Sequence, residues 1–204
     1  AGSRLYLHDD IADDFLARML NIARGIVIGD PQDDATEMGP LCTLGQIEHI
    51  ERQVTLAIEE GGRLLCGGRR LARPGLFFEP TIIECPRQDM TIVDTELFGP
   101  VLAVQRFRTE SEVLALANDT KHGLAAGLFT RDGARQLRLA KALKSGMVWV
   151  NTYRMISPIA EFGGVKTSGH GREAGLQAMY DYTRAKTIWV NLSDDPIANP
   201  FQPR

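Results

Sequence analysis

Glu96 and Phe98 stand two positions apart, just ahead of Gly99-Pro100. Alternate side chains of an extended segment share a side, so a carboxylate and an aromatic ring point the same way here. Gly-Pro then turns the chain into the apolar run that starts at Val101. A carboxylate can bind sugar hydroxyls and a ring can pack a flat heterocycle, which together make a ligand wall at the mouth of a sheet, where α/β proteins collect ligands. An exposed Glu beside a core Phe accounts for the same segment equally well.

Other chemistry-bearing residues point less far. Gly169-His170-Gly171-Arg172-Glu173-Ala174 has the outward form of G-x-G-x-x-A, but a dinucleotide fingerprint must leave a strand, and the preceding residues read as loop. These glycines are expected to serve turning and close backbone approach. His8, His49, His122 and His170 form no i, i+4 pair and have no carboxylate at ligand spacing, so no metal site is expected. Cys42 has no cation beside it in sequence to lower its pKa and reads as a buried, inert thiol. With Cys66 and Cys85 it makes an odd set at no zinc spacing, which fits a reducing compartment and makes the cytoplasm the expected location.

The elements that must carry these residues follow from periodicity. Ile11, Phe15, Met19, Ile22 and Ile26 predict a helix from 11 to about 24, and Ile47, Ile50, Val54, Ala57 and Ile58 a second from about 45 to 60, stopped by Gly61-Gly62. Leu64-Leu65-Cys66 and 77–83 read as short strands joined by a loop whose Arg69, Arg70 and Arg73 are solvated. From Val101 strands and helices alternate: strand 101–107, helix 111–119 capped by Ser111, strand 124–130, helix 132–144 capped by Asp132, strand 147–151. Near-continuous apolar strands in such an order predict an α/β fold, a parallel βαβαβ core sheet flanked by helices. After an irregular stretch, a helix is expected from about Arg172 to Tyr182 and a last strand over 186–192. That strand would leave an apolar edge to be paired by another chain, so self-association is predicted.

Composition limits the function classes. The 204 residues hold 23 Lys+Arg against 26 Asp+Glu, a formal charge of -3, and 44% hydrophobic residues, an ordinary globular balance. It gives no electrostatic reason to seek nucleic acid. No apolar run approaches the roughly 20 residues of a membrane helix, so no membrane partner is expected. Ala1-Gly2-Ser3-Arg4-Leu5 shows no signal peptide and does not look like a natural beginning.

Six segments together resemble the aldehyde dehydrogenase superfamily: Gly39-Pro40-Leu41, Glu96-Leu97-Phe98-Gly99-Pro100, Gly123-Leu124-Ala125-Ala126, Trp149-Val150-Asn151, Phe162 to Gly169, and Gly171-Arg172-Glu173. They stand in the family's order and spacing over almost the whole chain. The resemblance implies NAD(P)-dependent oxidation of an aldehyde to a carboxylic acid, through a Cys thiohemiacetal and thioester. It also implies that Ala1-Gly2-Ser3-Arg4 is the tail of the nucleophile motif, so the chain starts two residues after that Cys and would be inactive alone. Residues 1–168 would be part of the catalytic domain, 169–185 a glycine-rich turn and helix, and 186–204 an oligomerisation strand and tail serving a homodimer or homotetramer.

By the same resemblance Glu96 would bind the nicotinamide ribose of NAD or NADP and Phe98 would pack beside the nicotinamide. Glu173 would belong to a proton path, with a structural ion pair to Arg172 as the alternative. Residues 152–162 would be the substrate loop, with Ile156 and Phe162 lining an aldehyde tunnel and Arg154 at its mouth. A guanidinium there would favour an acidic aldehyde, unless Arg154 only faces solvent. Two alternatives are a non-catalytic α/β dimerisation module and a CoA-acylating or phosphorylating relative.

Overall fold

The computed structural model describes residues 2–195 and 201. It opens on β1 (Arg4–His8), a strand absent from the sequence expectations. With β2 (Arg63–Cys66), β3 (Thr81–Glu84) and β4 (Val101–Phe107) it forms a four-stranded sheet in the order β1-β4-β3-β2. β1 and β3 run parallel to β4, and β2 is antiparallel to β3. Both faces of β4 are covered, as its unbroken apolar run requires. Val101 and Ala103 join Ile47, Ile50, Phe78 and Val93 on one side, while Leu102 and Val104 join Leu7, Ala12 and Leu16 on the other.

The first helix, α1 (Asp9–Gly25), starts where the His8 ring Nδ1 accepts the Asp10 N–H, with Asp9 and Asp10 in its electropositive first turn. Its buried stripe is Ala12 and Leu16, flanked by Met19, Leu20 and Ala23. Of the expected stripe only Met19 packs on the core; Ile11, Phe15 and Ile22 are turned away, 53%, 43% and 71% exposed. Two stripes one residue apart both fit helical spacing, and small Ala12 permits the close approach to the sheet that decides between them. In α2 (Leu44–Glu59), capped by the Thr43 hydroxyl, the expected Ile47, Ile50, Val54 and Ala57 are buried, whereas Ile58 is half exposed.

After the single turn α3 (Thr91–Asp94), α4 (Glu110–Asn118) begins at Thr109 and not at Ser111. The Thr109 hydroxyl accepts the Glu112 N–H at 3.2 Å, and the Glu112 carboxylate accepts the Arg108 N–H at 2.8 Å. β5 (Ala125–Leu128), α5 (Gly133–Ala142) and β6 (Met147–Val150) follow close to their expected bounds, with Asp132 capping α5 as predicted. The class is α/β with parallel strands flanked by helices, yet its strands divide differently from a continuous βαβαβ sheet. β4 has β1 on one edge and β3 on the other, so β5 finds no free edge there and pairs with β6 in a second, parallel sheet.

The last third departs most from expectation. A 3-10 turn, Lys166–Ser168, precedes Gly169, and the predicted helix from Arg172 shrinks to α6 (Gln177–Asp181). Glu173 gives its N–H and carbonyl to Phe162, and Ala174 and Gly175 take positive φ, so helical bonding cannot begin earlier. Residues 186–192 join no helix or ladder among the described residues, because a strand is defined by a partner and none lies alongside. The tail beyond Asp195, apart from Phe201, lies outside the described residues. No described helix is long and apolar enough to cross a membrane.

Candidate active site

Leu97 is buried at 6% exposure, and this one anchor throws its neighbours Glu96 and Phe98 to the outside, Phe98 at 74%. The core-Phe alternative is thereby set aside. Phe98 holds φ +48, which a bulky residue adopts only under constraint. The constraints are visible: Gln46 Nε2 donates to the Phe98 carbonyl, and Gly99 packs so tightly on Ile50 that a Cβ would collide with it. Upstream, Asp94 ties the segment down by accepting the Thr120 hydroxyl at 2.9 Å and pairing with Lys121 at 3.5 Å. Burial pushes the Asp94 carboxyl up, but the Thr120 and Lys121 donors outweigh it and hold it below its ordinary value.

The pair stands at the amino end of β4, not at the carboxyl ends where open parallel sheets usually gather ligands. The register explains what else is there. Arg4 lies abreast of Ala103, and the Ala103 N–H donates to the Ser3 carbonyl at 3.0 Å, so Gly2 comes up beside Val101 and the Gly99-Pro100 turn.

The loop after β6 reaches the same place. Asn151 accepts the Thr130 N–H and donates to its carbonyl, closing the ends of β5 and β6. Tyr153 then meets Trp149 edge to face at 5.2 Å, and Trp149 Nε1 donates to the Met155 carbonyl at 2.8 Å. A Cβ on Gly127 would lie 2.9 Å from the Tyr153 ring, and one on Gly2 2.5 Å from its hydroxyl. Tyr153 therefore bridges the second sheet and the start of the first. Sequence reasoning named its neighbours and passed over it; the signal was the pair of distant glycines that make room for it.

Arg154 is exposed, at φ +61, with no ion pair among the described residues, and Ile156 is 67% exposed. Phe162 is half buried and bonded to Glu173 through both main-chain bonds, at 2.7 and 2.6 Å. The alternative Arg172–Glu173 ion pair is absent among the described residues; Arg172 Nη1 donates instead to the Gly164 and Gly171 carbonyls at 2.8 and 2.9 Å. The structure thus exposes Glu96 and Phe98 together and bonds Phe162 to Glu173, while no described contact joins these two groups.

Residues outside this region behave mostly as scaffold. Arg69 pairs with Glu79 and Arg70 makes two bonds to Glu51, so these two are neutralised by carboxylates and not merely solvated as expected, while Arg73 lies over the Phe77 ring. Cys42 is exposed, contrary to expectation, because it sits in the loop just ahead of the α2 cap. Burial pushes the Cys85 thiol up to about 11. Gly169 follows a 3-10 turn and not a strand, in keeping with its reading as a turn residue. Among the described residues no group of three or more His, Cys, Asp or Glu is gathered as for a metal.

A family model described as the aldehyde dehydrogenase family matches residues 1–188. A relative from Acinetobacter baylyi, (Z)-2-((N-methylformamido)methylene)-5-hydroxybutyrolactone dehydrogenase, is 48% identical over 98% of this chain and 41% of its own length. A betaine aldehyde dehydrogenase of Cereibacter sphaeroides is 42% identical over the same shares. Among solved structures, PnpE from Pseudomonas sp. WBC-3 superposes with a TM-score of 0.91 at 44% identity, covering 98% of this chain and 42% of that one. A betaine aldehyde dehydrogenase from Staphylococcus aureus does so with a TM-score of 0.92 at 38% identity, covering 97% and 40%. The chain spans about two-fifths of the length of the curated relatives it matches.

Proposed function

The chain belongs to the aldehyde dehydrogenase family, and from that premise we propose that it forms one wall of a site where a longer polypeptide oxidises an aldehyde to a carboxylic acid with NAD(P). The observation that carries this reading is the joint exposure of Glu96 and Phe98 ahead of β4, near the point where Gly2 meets Tyr153. The two side chains suit a dinucleotide: an exposed carboxylate accepts two ribose hydroxyls, and an exposed ring offers a face to a flat heterocycle. When bound, the nicotinamide supplies a hydride acceptor. A similar structure, PnpE in complex with nicotinamide adenine dinucleotide, supports NAD as the form used. The chain's own contribution is orientation, through a Phe98 backbone locked by Gln46 and Ile50, and exclusion of water by the aromatic loop.

On the substrate side, the reading gives Ile156 and Phe162 to the aldehyde tunnel and Glu173 to a proton path. Arg154, with no ion pair among the described residues, sits in the loop that holds Tyr153, which suits an aldehyde carrying a carboxylate. Residues 186–192 would pair with a second copy of the chain, in a homodimer or homotetramer.

The test is NADH formation by the chain joined to the remaining length its relatives possess, with the 204-residue chain alone expected to be silent. Glu96→Ala should raise the KM for NAD about tenfold with little change in the KM for aldehyde, the size of a charged hydrogen bond lost. Arg154→Ala should lower kcat/KM about tenfold for acidic aldehydes and leave neutral ones alone. Unchanged cofactor kinetics in the first variant would remove the basis of the assignment, and equal effects on both aldehyde classes in the second would dispose of the acidic substrate.

A further inference from the structure

Lys166 follows Phe162-Gly163-Gly164-Val165 and holds φ +57, a left-handed backbone that a lysine keeps only where its surroundings over-determine it. Its ammonium donates to the Asn118 and Thr120 carbonyls at 2.9 Å each. These lie at the carboxyl end of α4, where orphan carbonyls and the helix dipole both favour a cation. Next to it the Val165 N–H donates to the Gly123 carbonyl, the Thr167 N–H and hydroxyl both donate to the Lys121 carbonyl, and the Ser168 hydroxyl accepts the Gly123 N–H. Residues 165–168 are thereby laid along residues 118–123.

The other side of the same helix end receives β1. Tyr6 donates its hydroxyl hydrogen to the Leu116 carbonyl at 3.2 Å, and Arg4 reaches the Ala117 carbonyl at 3.5 Å. Gln88 donates to the Leu116 and Asp119 carbonyls. No residue of α4 is buried, so these polar bonds, more than apolar packing, fix its last turn. That turn is a joint between β1, which begins beside Tyr153, and the arm that carries Phe162.

We propose that Lys166 is a positioning residue: its ammonium latches the arm 162–168 to the end of α4 and so sets one side of the aldehyde pocket relative to β1, a role that rests on the functional reading above. A lysine serves because one ammonium satisfies two carbonyls at once, which a neutral side chain of that length cannot do. An arginine would serve too, since the cleft of about 480 Å³ lined by Lys166, Lys144, Asn118 and Asp94 has room for a guanidinium.

Hydrogen exchange on the 204-residue chain tests the latch directly. In Lys166→Met the amides of Phe162, Val165, Thr167 and Glu173 should exchange about tenfold faster or more, while Cys85, bonded to Val104 in the first sheet, should not change. Lys166→Arg should return them to the wild-type rate. Unchanged exchange in Lys166→Met overturns the proposal, and so does equal acceleration at Cys85, which would make Lys166 a general stability element. In the longer polypeptide, Lys166→Met should lower kcat/KM for aldehyde about tenfold with the KM for NAD unmoved, and Lys166→Arg should restore it. If the wild-type polypeptide oxidises no aldehyde, the functional reading fails while the exchange result still decides the latch.

Discussion

Tyr153 is held from three sides: Trp149 edge to face, the glycine face of β5 beneath its ring, and Gly2 at its hydroxyl. Gly127 is glycine because a Cβ would stand 2.9 Å from the ring, closer than carbon atoms tolerate. Gly127→Ala should therefore cost about 1–3 kcal/mol, read from the urea midpoint, and nearly nothing in a Tyr153→Ala background. Equal costs in both backgrounds would show that the glycine answers to something other than the tyrosine. The exposure of Glu96 and Phe98 on either side of buried Leu97 follows from a local pattern of three residues. The enclosure of Tyr153 does not, since the three segments that enclose it lie far apart in the chain.

At the scale of elements, α4 shows how a helix is held without a core. Its first residue, Glu110, is gripped by Arg138 at 2.5 Å and by Arg135 at 3.1 Å, both on α5. The Arg138 bond is the largest effect; burial opposes it, but the Arg135 bond and the charges of both arginines add to it and bring the Glu110 carboxyl down to about 2 from an ordinary 4.5. A depressed carboxyl contributes stability above its unfolded value and loses it as pH falls through its folded value. The gap in Tm between wild type and Glu110→Gln should thus be constant at neutral pH and close between about 4.5 and about 2. A gap that widens on acidification would contradict the assignment. The bounds of α2, α5, β4 and β6 could be read from periodicity, because each repeats one pattern over its own length. The rotation of α1 could not: two of its stripes have helical spacing, and only contact with the sheet chooses.

For the molecule as a whole, the outstanding surface is the run 186–192. Ile188, Trp189, Val190 and Leu192 are 74%, 92%, 71% and 92% exposed, more contiguous apolar surface than a lone chain leaves uncovered without cause. The expected outcome of light scattering is a molar mass that is a multiple of 22.5 kDa, falling to one chain in Trp189→Asp. A wild-type chain that stays single at every concentration tested would rule out pairing through this run. The exposed Ile11, Phe15 and Ile22 on α1 belong to the same scale, in a chain that spans about two-fifths of its relatives' length.

Residue types and spacing sufficed for the family and the α/β class, because each is set by periodicity over a few positions or by motifs in fixed order. Three things waited for tertiary structure: the partition of the strands into two sheets, the Tyr153 bridge and the joint at the end of α4. Each depends on which edge, face or carbonyl remains unsatisfied after the other elements have packed. That is a competition among distant segments, and its outcome is not written in any one of them.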